Sequence, residues 1–266
     1  MEILVSVSRH LKSLLRRALP RTIRRHRILA GPLRGQHIVA SWHNYPKGIV
    51  GRTERHLLAW FQRNVSSGET WLDIGALYGY TAIALSRLVG PQGRVFAFEP
   101  MLGTAGYLAQ TRLLNHLSQL TVLPLALASP EEMELRRLPS ERGMVDSTLP
   151  GREPTETVVV TRMDWLWPRI CDKQERIDGI KIDVQGMEID VLRGMLGVLR
   201  RFRPKLVIEV HEGVARCELL ELLQAAGYSR PGVPVAPIQG EVQPQYIDDR
   251  SYEFQADAAQ SRAAEM

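Results

Sequence analysis

The stretch Thr70-Trp-Leu-Asp-Ile-Gly-Ala-Leu-Tyr-Gly-Tyr-Thr81 constrains this chain more than any other. Its first half is a short apolar run of the kind that forms a buried strand. Two glycines then mark a turn, and a helical apolar pattern follows. Arg94-Val-Phe-Ala-Phe-Glu-Pro100 reads as a second strand, this one ending in a carboxylate. Gly79 and Glu99 stand 20 positions apart. A strand–turn–helix–strand unit that holds a nucleotide uses this offset to set an acid against the ribose.

The turn itself narrows the ligand. A dinucleotide turn runs G-x-G-x-x-G, so that backbone N–H groups can close on a pyrophosphate. Here Gly75 and Gly79 are spaced G-x-x-x-G, the middle glycine is missing, and Asp73 sits just ahead of the loop. A carboxylate there would repel a pyrophosphate. It suits a ligand with a positive end, such as the ammonium and sulfonium of S-adenosylmethionine. Gly75 is expected to let backbone approach that ligand, Gly79 to let the helix pack closely, and Glu99 to accept both ribose hydroxyls.

The rest of the chain extends the same alternation. Helices are expected at about 9–19, 52–65, 79–89, 102–117, 187–202 and 215–227, and strands at 70–75, 94–99, 120–127, 179–184, 205–210 and 251–254. Residues 130–163 break the alternation. Met133–Arg136 and Thr157–Thr161 read as a strand pair around a polar loop, an insertion over the cofactor edge. Strands and helices at this spacing mean a parallel sheet covered on both faces, with its ligand crevice beyond the carboxyl ends of the strands. Three segments follow: a basic helix and approach over 1–50, a main domain over 51–256, and a tail over 257–266.

Two strands carry charge where a doubly covered strand should be apolar. Lys181 and Asp183 share one face of the fourth strand, and Glu209 and His211 share one face of the fifth. Lys181 and Glu209 suit a buried pair between neighbouring strands. Asp183 and His211 fall at the crevice, where reacting groups are placed. His211 has an intrinsic pKa suited to a general base, and Asp183 could orient it or act itself. Asp183 beside Glu209 could also hold Mg²⁺, but the spacing does not demand it, and no metal is expected. Glu188 opens the next helix, where the helix dipole favours an anion.

These motifs resemble the FkbM family of S-adenosylmethionine-dependent methyltransferases. They run in the family's order: Asp73-Ile-Gly75-Ala76-Leu-Tyr-Gly79, Phe98-Glu99-Pro100, Asp164 in Arg162-Met-Asp-Trp, Lys181-Ile-Asp-Val-Gln-Gly-Met-Glu188, and Ile208-Glu-Val-His211. Glu54 resembles the family acid ahead of the first strand, which would come near the cofactor. The likeness spans about 50–213. It implies an α/β, Rossmann-like class I methyltransferase fold with a mainly parallel seven-stranded sheet and helices on both faces. It implies S-adenosyl-L-methionine as cofactor, bound by Glu54, Asp73, Gly75, Ala76, Gly79, Glu99, Pro100, Ala126 and Asp183. Ala126 would line the adenine from the end of the third strand, with Asp146 and Ser147 closing over it. Asp183 and His211 would handle the acceptor, a hydroxyl on a sugar or secondary metabolite. The sequence departs from the family at Gln185, where Glu is usual, and at Leu77, where Asn is usual. The aromatic segment Trp42-His-Asn-Tyr45 would border the acceptor's entry.

Composition sets outer limits. A chain of 266 residues, 44% of them hydrophobic, suits one large α/β domain. Cys171 and Cys217 have no C-x-x-C spacing, which suits a reducing, cytoplasmic setting and argues against a zinc framework. The formal net charge of +5 misleads. Residues 1–35 carry nine Lys/Arg and one acid, so the body is mildly acidic and nucleic acid is not an expected partner. Leucines interspersed with the arginines of this basic segment would suit a membrane surface; packing on the body or on a second subunit is the favoured expectation. Oligomeric state stays open. Two rivals remain. One is a non-catalytic binding module that keeps the fold. The other is a nicotinamide-linked oxidoreductase, which Asp73 and the missing glycine disfavour.

Overall fold

The computed structural model describes residues 19–139, 155–171, 176–237 and 244–257. The expected helix at 9–19, apart from its last residue, and the loop residues Asp146 and Ser147 lie outside the described residues. In chain order the elements are β1 (Arg24–Arg27), β2 (His37–Ala40), α1 (Pro46–Val50), α2 (Arg55–Asn64), β3 (Thr70–Ile74), α3 (Tyr80–Val89), β4 (Arg94–Phe98), α4 (Leu102–Leu114) and β5 (Leu120–Leu123). Then come β6 (Ala126–Leu127), β7 (Glu134–Pro139), β8 (Thr155–Thr161), α5 (Met163–Ile170), β9 (Gly179–Ile182), α6 (Glu188–Arg193), α7 (Leu196–Phe202), β10 (Lys205–Val210), α8 (Arg216–Ala225), β11 (Val233–Pro234) and β12 (Arg250–Phe254).

The main sheet has seven strands in the order β11-β12-β10-β9-β3-β4-β5. Pairing is parallel from β5 through β4, β3 and β9 to β10, and antiparallel where β12 joins β10 and β11. The main sheet starts at β3 and grows one way through β4 and β5, then returns to β3's other side as β9. That reversal opens a crevice between the carboxyl ends of β3 and β9, the place where open α/β sheets hold ligands.

Alternation along each strand builds two cores. Trp71, Val95, Ala97 and Val207 face one side, where α2, α3 and the N-terminal hairpin pack over them. Leu72, Ile74, Phe96, Phe98, Ile180, Ile182, Leu206 and Ile208 face the other, under α5 to α8. Helix α3 is buried almost all round because the N-terminal layer covers its outer face. Gly179 opens β9 because any Cβ there would lie 2.3 Å from the Trp71 ring.

The structure corrects three sequence expectations. The single third strand is two elements: Pro124 interrupts the run, β5 stays in the main sheet, and β6 pairs with β8 in a separate three-stranded sheet, β6-β8-β7. Ala126 therefore belongs to that second sheet, in a small core with Met101, Ala128, Leu138, Val158 and Val160. The single helix at 187–202 is also two, α6 and α7. Gly194 approaches so closely that a Cβ would sit 1.8 Å from the Ala128 carbonyl oxygen, and Asp164 caps the new start by accepting from Gly197 N (3.0 Å) and Val198 N (2.8 Å). Helix α5 and the two-residue strand β11 are additions that the apolar pattern does not reveal.

Candidate active site

The turn after β3 is built from backbone. Gly75 N and Ala76 N both donate to the Phe98 carbonyl at 3.0 Å, and Gly79 N donates to the Ala76 carbonyl at 2.8 Å. Gly75 and Gly79 have φ of 79° and 91°, which L side chains rarely adopt. A Cβ on Gly75 would lie 1.8 Å from the Asp183 carbonyl oxygen, and one on Gly79 would lie 2.2 Å from Leu108 Cδ1. Gly79 thus seats α3 against α4. Gly75 brings the turn against the end of β9, so the close backbone approach it permits is to Asp183, within the protein.

Glu99 directly follows β4 and is 6% exposed. Its Oε1 accepts from Met101 N and its Oε2 from Leu77 N, each at 3.0 Å. Burial pushes its carboxyl up to about 7, against the pull of those two N–H groups. Pro100 turns the chain between Glu99 and Met101. Leu77 holds φ 48° and is 40% exposed at the turn's rim.

Asp73 is fully buried. Thr81 Oγ1 donates to its Oδ2 at 2.7 Å, and Lys181 Nζ lies 3.1 Å from its Oδ1. A positive partner of Asp73 is therefore already present within the protein, as Lys181. Lys181 also donates to the Gly75 carbonyl at 2.8 Å and pairs with Asp183 Oδ2 at 3.4 Å. Asp73 and Asp183 raise the Lys181 pKa over the opposing cost of burial, which is the largest single effect. The expected Lys181–Glu209 pair does not form among the described residues: β9 lies between β3 and β10, and Lys181 stands opposite Asp73 on one side and Val207, not Glu209, on the other.

Asp183, Glu209 and His211 converge at the ends of β9 and β10, with one ligand-capable atom from each within 4.8 Å of the others. His211 is 6% exposed. Its Nδ1 lies 2.6 Å from Glu188 Oε1, while its Nε2 faces Gln185 Nε2 at 2.8 Å, Asp183 Oδ1 at 3.5 Å and Glu209 Oε1 at 3.7 Å. Glu188 is fully buried in the first turn of α6 and also accepts from Gly186 N at 3.2 Å. The residue that orients His211 is thus Glu188, whose part sequence reasoning missed; its signals were its place at the end of the Lys181–Glu188 motif and in the first turn of the next helix. Burial lowers the His211 pKa, and Glu188, Asp183 and Glu209 more than reverse this, so the net shift is upward. Burial, Asp183 and Glu54 push Glu209 up to about 7.

Glu54 approaches from the N-terminal layer. It precedes α2 with φ 51°, and burial followed by the charge of Asp183 raises its pKa. Tyr45, from the Trp42–Tyr45 segment, packs on Tyr78 and Tyr80 at ring separations of 5.4 and 6.4 Å. Asn44 Nδ2 donates to the Tyr78 hydroxyl at 3.3 Å. Trp42 turns away to meet His26 edge-on. Separately, a cavity of about 580 Å³ borders α4 between Arg24, Arg25, Tyr107 and Leu113. No carboxylate or histidine lines it.

The sheet order, with one antiparallel strand inserted beside β10, defines a class I methyltransferase fold. The methyltransferase FkbM domain model matches residues 73–230, and the chain belongs to this family of S-adenosylmethionine-dependent methyltransferases. No curated protein matches it in sequence. Among solved structures, the methyltransferase FkbM from Methylobacillus flagellatus KT is 18% identical over 74% of this chain, with a TM-score of 0.46. The chain spans 50% of that protein's length. A precorrin-6y C5,15-methyltransferase from Geobacter metallireducens GS-15 is 18% identical over 77% of this chain and 89% of its own, with a TM-score of 0.45. An rRNA methylase from Streptococcus thermophilus is 10% identical over 78% and 98%, with a TM-score of 0.48. Among the described residues, no helix is long and apolar enough to cross a membrane.

Proposed function

We propose that this chain transfers a methyl group from S-adenosylmethionine to a hydroxyl of a small molecule, such as a sugar or natural product. The observation that carries the reading is the Glu188–His211 pair, which presents His211 Nε2 beside Asp183 at the switch-point crevice.

The donor set fits the cofactor. Glu99 is a buried carboxylate with each oxygen already taking one backbone N–H, and its remaining lone pairs suit the two donor hydroxyls of a ribose. Glu54 and Asp183 add negative charge that suits a ligand carrying an ammonium and a sulfonium. Asp73 supports this arrangement at one remove, by anchoring Lys181, which fixes the Gly75 carbonyl and Asp183. Gly75, Ala76, Gly79 and Pro100 shape the backbone that frames the ligand.

When bound, S-adenosylmethionine supplies an electrophilic methyl group. The protein's share is alignment and proton handling. Holding two reactants in line is worth about 7–11 kcal/mol in favourable geometry. Asp183 and His211 receive the acceptor hydroxyl, and their negative charge and imidazole lone pair draw its proton. Proton transfer at such a group adds about 10²–10⁴-fold.

Calorimetric titration with S-adenosylhomocysteine, followed by mass spectrometry of hydroxylated acceptors incubated with labelled cofactor, tests the reading. Micromolar binding that weakens at least about tenfold in Glu99→Ala supports it; a tenfold change corresponds to about 1.4 kcal/mol. Absence of binding, or equal binding in that variant, overturns the cofactor assignment.

A further inference from the structure

The three groups at the ends of β9 and β10 share a feature that goes beyond the Glu188–His211 pair. In each, the polar atom that points away from the cluster is tied by a second residue. Asp183 Oδ2 pairs with Lys181 at 3.4 Å, Glu209 Oε2 accepts from Ser251 Oγ at 3.4 Å, and His211 Nδ1 meets Glu188 Oε1 at 2.6 Å. The atoms left over face one another: His211 Nε2 stands 3.5 Å from Asp183 Oδ1 and 3.7 Å from Glu209 Oε1. Supporting partners of this kind fix the orientation of ligands around an ion.

The occupant of the centre points the same way. Nδ1 faces a buried carboxylate, so in the neutral imidazole the proton sits on Nδ1 and Nε2 carries the lone pair. The Gln185 amide nitrogen lies 2.8 Å from that Nε2 and 3.3 Å from Asp183 Oδ1. A neutral NH₂ thus bridges an imidazole lone pair and a carboxylate, offering only partial positive charge where two carboxylates and a nitrogen converge. Lys181 is shared between Asp73 and Asp183, so one cation faces three carboxylates once Glu209 is included. Gln185 holds this place from a left-handed backbone, φ 55°.

We propose that Asp183 Oδ1, Glu209 Oε1 and His211 Nε2 bind a divalent cation of the Mn²⁺ type. Two carboxylates and one imidazole suit Mn²⁺, since carboxylate favours Mg²⁺, Ca²⁺ and Mn²⁺ while imidazole favours later metals. Adjacent ligands on an octahedral ion at about 2.1 Å stand about 3.0 Å apart, and opposed ones about 4.2 Å. The present spacings of 3.5 and 3.7 Å need only small side-chain adjustments. A half-turn of the Gln185 amide would bring its carbonyl oxygen inward as a fourth ligand. What the ion does rests on the methyltransferase reading: it would fix the acceptor oxygen and ease release of its proton to water, so that Asp183 and His211 act through the ion.

The test uses the full chain stripped with EDTA and titrated with Mn²⁺, reading the electron paramagnetic resonance signal of unbound ion. The expected result is one ion per chain with micromolar affinity, weakened at least about tenfold in His211→Gln and Glu209→Gln, and about 10–100-fold in Glu188→Gln. Circular dichroism establishes that each variant is folded. Failure to take up Mn²⁺ at millimolar concentration, or equal uptake by folded His211→Gln and Glu209→Gln, overturns the cation site. S-adenosylhomocysteine binding is measured on the same samples. Cofactor binding without Mn²⁺ uptake sinks the cation site alone. Mn²⁺ uptake lost in the variants, without cofactor binding, upholds the site and sinks the methyltransferase reading.

Discussion

Replacing Lys181 by methionine isolates the ion pair that joins the two halves of the sheet. The lysine is 3% exposed and Asp73 fully buried, so solvent screens their 3.1 Å pair very little. Methionine fills much of the same volume but offers no charge. Asp73 would keep its hydrogen bond from Thr81 and lose its cation, and the Gly75 carbonyl would lose a donor at 2.8 Å. Removing one partner of a buried pair costs about 3–5 kcal/mol, because the other charge remains in a poor solvent for it. At this chain length each kcal/mol moves the melting midpoint by about 2 °C, so a drop of about 6–10 °C is expected. Calorimetry and urea titration measure it. The companion Asp73→Asn/Lys181→Met removes the stranded charge while leaving Thr81 an acceptor, and it should recover at least half the loss. Two single-variant losses that add within about 0.5 kcal/mol in the double variant would refute the pairing as the source of the effect.

Three further expectations follow from the same geometry. Ribose hydroxyls donate to the ionised form of Glu99, and burial holds its pKa near 7; S-adenosylhomocysteine binding should therefore release a proton, and affinity should rise with pH and level off above about 7, falling by up to tenfold per unit below it. Calorimetry across this range checks it, with Glu99→Gln expected to bind weakly and without that pH dependence; a flat wild-type profile contradicts the assignment. Gly75→Ala should cost more than about 1 kcal/mol, from the left-handed backbone and the contact with the Asp183 carbonyl, and should weaken cofactor binding as well; a melting temperature within error of wild type would contradict it. Asp164→Ala removes the cap of α7 and should cost about 0.5–2 kcal/mol in urea titration with cofactor affinity unchanged; weaker binding would make Asp164 a site residue.

The readable parts of this molecule are the local ones. The turn from Asp73 to Gly79 and the acid at Glu99 lie within one βαβ unit, so spacing alone predicts their neighbourhood. The β7–β8 pair was legible from its flanking apolar residues. Partners chosen by strand register were not: β9 lies between β3 and β10, and Lys181 stands opposite Asp73 and Val207 but not Glu209, a register no local pattern encodes. Glu188 likewise finds His211 only once β10 and α6 are adjacent. The break between α6 and α7 depends on the Ala128 carbonyl and Asp164, both distant in sequence. Pro124 is different, since a proline that interrupts a strand pattern is visible in the sequence and argues for ending the strand there.

Glu54, Leu77 and Gln185 all sit at the candidate site, and all hold left-handed backbone, with φ of 51°, 48° and 55°. Such a conformation costs a residue with a Cβ about 1–3 kcal/mol, and glycine almost nothing. At each of the three positions, a glycine would relax the fold while deleting the side chain at the site. A library selected only for heat resistance should therefore accumulate glycine at 54, 77 and 185, and its most durable members would be the least active. Consensus or thermostabilising redesign of this chain would need those three codons held fixed.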